Sequence, residues 1–342
     1  MIPDQNRSIA VDHSNFQVRQ WDFEISMKYG ISRGDYEKGL RQHLSGDAWE
    51  YMSILNDLGY LGRYGRTIDL LDQLLVYPEL NLNYIWIHKN ACSFVKAFFM
   101  MFYPTQVGSV AEGSIHEHTQ LYFTIPFKEL LKTLSIIVKR PTVIIIRHPV
   151  SRLVSSYVSK FVMPLREGKS FRPYACRIIE QIIQNSKLKG RDPDDSITFR
   201  EFCSYILTTD IWRVNGHWRP QAWAIPRGGF SKLILMDTES ISTLLPEVVR
   251  QLNPDVAMPS FDFAEAKRNK SVEVVYKEGH GLKSVLADVL PKDISLPVAH
   301  EANNFFDKGL FDKVMKLYEE DMVLYQQVRA AHKANGPMGT GC

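Results

Sequence analysis

Three short apolar runs constrain this chain most: "NYIWI" (83–87), "TVIII" (142–146) and "KLILM" (232–236). Runs of this length without polar alternation fit strands covered on both faces, and each is followed by sequence of helical character. The predicted helices span about residues 93–103, 151–162 and 241–252. Strand followed by helix, three times over, is the pattern of a parallel sheet in an α/β fold. In doubly wound sheets ligands sit beyond the carboxyl ends of the strands. Function is therefore expected in "HKNACS", "RHPVS" and "DTES".

The remainder is read around that core. Residues 1–80 are expected to form an arm and a helical extension, because Leu55, Leu58, Leu70, Leu71, Leu74 and Leu75 recur at helical spacing as far as Tyr77. One α/β domain should occupy 81–335, with a flexible tail at 336–342. An insertion at about 163–215 carries helical "ACRIIEQIIQNSKL" and "TFREFCSYILTT", in the manner of a lid or acceptor-side subdomain. Leu310, Val314, Leu317, Tyr318, Met322 and Tyr325 mark one face of a single long terminal helix over 305–333.

Charge narrows the function. Forty-one Lys+Arg against thirty-eight Asp+Glu leave a net +3 in 342 residues, too little for a general nucleic-acid binder, so any anion site is local. The four cysteines form no CxxC pair, which argues against a zinc knuckle or a disulfide framework and for a reducing compartment. No apolar run reaches the roughly 18 residues of a membrane span. The expectation is a cytoplasmic, bacterial-type protein with no membrane span and no metal.

Two segments carry the chemistry. In "NYIWIHKNACSFVKAFF" a strand ends near Ile87 and a helix starts near Ser93, so the backbone N–H groups of Asn90, Ala91, Cys92, Ser93 and Phe94 are left to seat an anion. Lys89 adds a mobile charge and Ser93 a hydroxyl. On this segment alone, an ordinary strand-to-helix loop with a solvated lysine is as good a reading. In "TVIIIRHPVSRLVSSY", Arg147 closes a strand, Pro149 and Ser151 open a helix, and Ser155 lies one turn in, off the apolar face of Leu153, Val154 and Tyr157. An arginine fork with a hydroxyl suits a terminal phosphate.

Together "IHKNACSF" and "RHPVSRLVSSY" resemble the two cofactor elements of sulfotransferases that use 3′-phosphoadenosine 5′-phosphosulfate (PAPS), in the carbohydrate-modifying branch. His88 stands where that family has proline, and His148 where it has an acid. The resemblance implies a P-loop-like three-layer α/β fold. It assigns Lys89 and Ser93 to the 5′-phosphosulfate, and Arg147 and Ser155 to the 3′-phosphate. It also implies a hydroxylated acceptor, either a glycan or a small natural product, and a transfer that needs no metal.

"GSIHEHTQLYF" is similar to the His-x-His of heparan-type 2-O-sulfotransferases, which makes His118 the expected base with His116 as orienter or substitute. Glu117 takes that role if the segment is a turn. As residues alone, the pair reads equally as inert surface histidines. Lys267, Arg268 and Lys270 form a basic loop that related enzymes close over the nucleotide, and "HWRPQ" offers His217, Trp218 and Gln221 to an acceptor cleft. The competing readings are a kinase-like phosphotransferase, which would need a glycine-rich GxxxxGK[ST] loop, and a non-catalytic nucleotide-binding protein.

Overall fold

A computed structural model describes residues 73–103, 136–137, 139–185, 191–209, 215–225, 230–261, 273–295 and 299–335. His116, Glu117 and His118, the basic loop with Lys267, Arg268 and Lys270, and the extension before residue 73 lie outside the described residues.

The chain enters as strand β1 (Leu74–Tyr77), turns through a 3-10 step at Pro78–Leu80, and returns as β2 (Leu82–Ile85). Then follow α1 (Cys92–Met100), β3 (Thr142–Ile146), α2 (Pro149–Tyr157), α3 (Met163–Arg166), α4 (Pro173–Asn185) and α5 (Phe199–Thr208). After them come β4 (Leu233–Asp237), α6 (Ile241–Leu252), β5 (Glu273–Val275), β6 (Ala299–Glu301), α7 (Lys308–Leu317) and α8 (Glu319–Asn335). The main sheet has the order β1-β2-β3-β4; β2, β3 and β4 are parallel, and β1 pairs antiparallel with β2 from Leu74↔Ile85 to Tyr77↔Leu82.

The three apolar runs are the three parallel strands. Val143 and Ile145 pack with Phe98 of α1 and Leu245 of α6 on one face. Ile144 and Ile146 pack with Leu324, Tyr325 and Val328 of α8 on the other. Burial on both faces explains why the runs show no polar alternation. A separate aromatic cluster joins α2, α4, α5 and α7 through Tyr157, Phe161, Phe199 and Phe202.

Two expectations are corrected. Leu74–Tyr77, assigned to the helical extension, is a strand whose four residues are all buried. Pairing with β2 across a turn in which Asn81 takes a left-handed φ of 45° overrides the helical spacing of its leucines. The terminal helix is two helices, α7 and α8, separated at Tyr318 (φ −105°, ψ 27°). There the buried Tyr318 hydroxyl donates to the Trp218 carbonyl, and Asp321 turns inward to accept from Gln221 N–H at 2.9 Å and Ala222 N–H at 2.8 Å.

A smaller departure follows α2. A regular continuation would drive the Pro164 ring into the carbonyl of Lys160, four residues earlier. Residues Val158–Val162 instead widen into a π turn, with Met163 N–H reaching the Val158 carbonyl. Among the described residues, no helix is long and apolar enough to cross a membrane.

Candidate active site

β2 and β3 lie side by side and parallel, so the loops after them open at the same sheet edge. The loop after β2 is built without glycine, yet Lys89 (φ 67°) and Ala91 (φ 56°) both occupy the left-handed region on either side of Asn90. Alternating signs of φ turn successive N–H groups inward, the geometry of an anion nest. Val95 N–H returns to the Ala91 carbonyl at 3.1 Å, so α1 begins there with its first-turn N–H groups directed at the same place.

Left-handed non-glycine residues cost roughly 1–3 kcal/mol each and persist where the surroundings over-determine them. Asn90 supplies that constraint. Its fully buried amide donates to the Ile145 carbonyl and to Gln221 Oε1, both at 2.7 Å. Gln221 Oε1 also accepts from Arg147 N–H at 3.1 Å, while its Nε2 donates to the Arg147 carbonyl at 2.6 Å. One buried glutamine thus locks both loops together.

Arg147 completes the junction: Nη1 donates to the Lys89 carbonyl at 3.0 Å and Nη2 to the Val274 carbonyl of β5 at 2.6 Å. Below it, Arg152 is sealed from solvent and donates to the carbonyls of His88 (3.0 Å), Arg219 (2.7 Å) and Gly216 (2.9 Å). Burial lowers its pKa, and Asp321 acts in the opposite direction. Arg152 holds the 216–219 loop against the donor loop so closely that a Cβ on Gly216 would lie 3.0 Å from the His88 ring. His88 stacks on His217 with centroids 4.0 Å apart, and His217 Nδ1–H donates to Asn215 Oδ1 at 2.5 Å, leaving Nε2 as the basic nitrogen.

Electrostatically the site is a set of cations. Lys89 is half-buried, and its pKa falls to about 7: burial is the largest cause, the Lys160 charge next, with Cys92 opposing and Arg147 adding. Burial, then His88, Lys160, Lys89 and Arg152, hold His217 far below the usual histidine range. Among the described residues, no carboxylate enters either balance. In a half-buried cluster of one sign, an anion between its members favours the charged forms. That charge deficit, with the nest beside it, fits a nucleotide phosphosulfate.

The other expected residues divide by direction. Ser155 is buried one turn into α2, and its neighbour Ser151 Oγ accepts Tyr276 N–H at 2.8 Å. Cys92 and Ser93 are half-buried at the start of α1, whereas the Phe94 ring turns into the core against Phe261, centroids 5.7 Å apart, and leaves its backbone to the nest. Gln221 and Trp218 do not line a cleft. Trp218 is 1% exposed among Phe161 and Phe202, and the Gln221 amide is consumed by the two loops. His217 is half-buried and reaches the cluster. Asp237 of "DTES" serves the frame, accepting Ser240 N–H at 2.7 Å and pairing with His332 at 2.7 Å.

Arg152 and Asp321 were not singled out from sequence. Their signal was weak, since a buried arginine inside "SRLVSS" and an acid inside "YEEDM" both look like solvated helix faces. Among the described residues, no group of three or more His, Cys, Asp or Glu is placed to hold a metal.

Two adjacent loops at the carboxyl edge of a mainly parallel sheet covered by helices on both faces define a P-loop-like protein. Within that class, the chain belongs to the sulfotransferase family, whose model matches residues 72–326. It is similar to carbohydrate sulfotransferase 14 of Danio rerio, 28% identical over 158 residues, which is 44% of this chain and 40% of that relative. The match thus spans less than half of either protein. No solved structure is significantly similar to the chain.

Proposed function

We propose that this protein transfers the sulfuryl group of PAPS to a hydroxyl of a carbohydrate or of a small hydroxylated metabolite. The observation that carries the reading is the hydrogen bond from Arg147 to the Lys89 carbonyl, which puts the two cationic loops at one point of one sheet edge. Membership of the sulfotransferase family and the similarity to a carbohydrate sulfotransferase support the choice of donor and acceptor class.

When bound, PAPS supplies an activated sulfuryl group on a phosphate leaving group. Sulfuryl transfer resembles phosphoryl transfer in needing alignment and charge stabilisation more than covalent help from the protein. Lys89 and the N–H groups of Ala91 to Phe94 take the 5′ end, the Asn90 N–H being spent on the Ile87 carbonyl at 3.2 Å, and the charge that develops at the leaving oxygen falls to Lys89. Arg147 and Ser155 take the 3′-phosphate, with Arg268 and Lys270 closing over the nucleotide. His118 removes the acceptor proton as general base, with His116 orienting or replacing it. His217 stands on the acceptor side.

Thermal shift separates this reading from a kinase-like one, because a ligand that binds only the folded state stabilises it according to its occupancy. The expected result is a larger rise in Tm with 3′-phosphoadenosine 5′-phosphate (PAP) than with ATP and magnesium; the reverse order would overturn the reading. Mass spectrometry of glycan and small-molecule acceptors incubated with PAPS should then show one added sulfate. Binding without any transfer would favour the non-catalytic nucleotide-binding alternative.

A further inference from the structure

Between α5 and β4 in the chain, the imidazole of His217 is fixed by contacts on several sides. Asn215 Oδ1 accepts both the backbone N–H of His217 at 3.0 Å and its ring Nδ1–H at 2.5 Å. An atom that accepts a backbone N–H is the amide oxygen, so the proton sits on Nδ1 and the lone pair on Nε2. The His217 carbonyl accepts from Ser156 Oγ at 2.7 Å, and Arg152 takes the flanking carbonyls of Gly216 and Arg219.

The same contacts bring the ring to the donor loop. Arg152 also donates to the His88 carbonyl at 3.0 Å, and the His217 imidazole lies on the His88 ring with its plane 25° from parallel. His88 directly precedes Lys89. The approach needs glycine at 216, where a Cβ would meet the His88 ring. Tyr174, at the start of α4, is near parallel to His217 at 6.1 Å, so the imidazole meets a ligand through its edge. Nε2 on that edge has no hydrogen-bond partner among the described residues, nor is it sealed from solvent as both nitrogens of His148 are. A bare lone pair, fixed by its tautomer, thus stands beside the loop that carries Lys89.

We propose that His217 Nε2 accepts a hydrogen bond from a hydroxyl of the acceptor other than the one that is sulfated, and so selects a sugar or another polyol over a monohydric compound. The inference rests on the sulfotransferase reading and narrows its acceptor class. A lone pair demands an O–H or N–H from the ligand and gains nothing from an ether or a methyl group. A site built to bond a hydroxyl discriminates against the analogue that lacks it. Burial first, then His88 and the charges of Lys160, Lys89 and Arg152, keep the ring neutral. It can therefore hold a hydroxyl proton without taking it, and the reacting hydroxyl is left to His118. His217 is a specificity-determining residue, and Asn215 a positioning residue that acts through it.

Two measurements on the full chain test this. Nitrogen NMR with isotope-labelled histidine, the signal being identified by its loss in His217→Phe, should show Nδ1 protonated and Nε2 bare from about pH 6 to about pH 8. A protonated Nε2 would overturn the inference. Transfer is then measured from PAPS to methyl hexopyranosides and hexose disaccharides, to their monodeoxy counterparts, and to para-nitrophenol as the monohydric probe. For one of the hydroxyls that is not sulfated, removal should cost the wild type about tenfold in kcat/KM, the scale of one hydrogen bond between neutral groups. His217→Phe keeps a ring on His88; it should lose that penalty while the PAP-induced rise in Tm persists. Asn215→Ala should lose part of it, because the tautomer is no longer fixed, and it carries the comparison if His217→Phe does not fold. Equal penalties in wild type and variant for every monodeoxy sugar would overturn the inference. So would equal kcat/KM for para-nitrophenol and the sugars, or a chain that binds PAP and sulfates no sugar. ATP with magnesium preferred over PAP would remove the sulfotransferase reading and this inference with it; PAP preferred with the hydroxyl penalty unchanged would remove the inference alone.

Discussion

Lys89 concentrates the electrostatics of the candidate anion site in one side chain. Its pKa is about 7 in the folded protein against an ordinary 10.5, so its charge opposes folding throughout the range below 10.5, and stability should rise as pH climbs from about 7 toward 10.5. An anion in the nest removes the cause and restores the proton. Sulfate binding at pH 8 should accordingly take up on the order of one proton, measured by calorimetry in buffers of different ionisation heat. Proton release, or none, would mean that Lys89 does not meet the anion. Lys89→Ala should cost on the order of a hundredfold in turnover, the scale of losing one oxyanion donor.

Asn90 is the structural counterpart. Asn90→Ala leaves the Ile145 carbonyl and Gln221 Oε1 short of a buried donor, so a loss of roughly 2–4 kcal/mol is expected in urea unfolding. It should also weaken the PAP-induced thermal shift, since the buried Asn90 amide ties the turn between the left-handed Lys89 and Ala91 to Ile145 and Gln221. Lys89 and Arg147 were legible as residues because a cation at a strand end is a local signal. The tie between them was not: Gln221 lies 131 residues from Asn90, and such a hydrogen bond leaves no periodic trace.

At the scale of elements, what could be read followed from burial. The three parallel strands and α6 stand where the apolar runs and helical period put them, because packing on both faces admits few alternatives. β1 was hidden since four apolar residues satisfy either period, and only the partner strand decides. The break between α7 and α8 was hidden because both share one apolar face; it is the inward turn of Asp321 toward Gln221 that separates them.

Across the whole molecule, the fold seats cations at one edge and keeps neutral histidines beside them, with a consequence for acid stability. His148 is 3% exposed, stacked 4.5 Å from Tyr276 and edge-on to Tyr325, and neither ring nitrogen has a partner among the described residues. Burial first, then Arg329 and Arg147, lower its pKa to about 4 from an ordinary 6.5. The unfolded chain therefore binds this proton first, and stability drains as pH falls from about 6.5 through about 4. Asp321 works in the opposite sense: burial lifts its pKa to about 6, so it gains a proton on folding in part of the same range. A wild-type profile alone would blend the two.

His148→Phe isolates the histidine, because Asp321 contributes to both proteins and cancels in the difference. A phenyl ring keeps the stacking and forfeits no hydrogen bond that the imidazole makes. The variant should be at least as stable at pH 7.5, and its advantage should widen by about 1.4 kcal/mol per pH unit below about 6.5 before levelling near pH 4. Urea unfolding of both proteins at four or five pH values gives that slope directly. A constant difference would mean that His148 carries its proton in the native protein, placing an anion or an unrecognised acceptor beside a position where the family pattern has an acid.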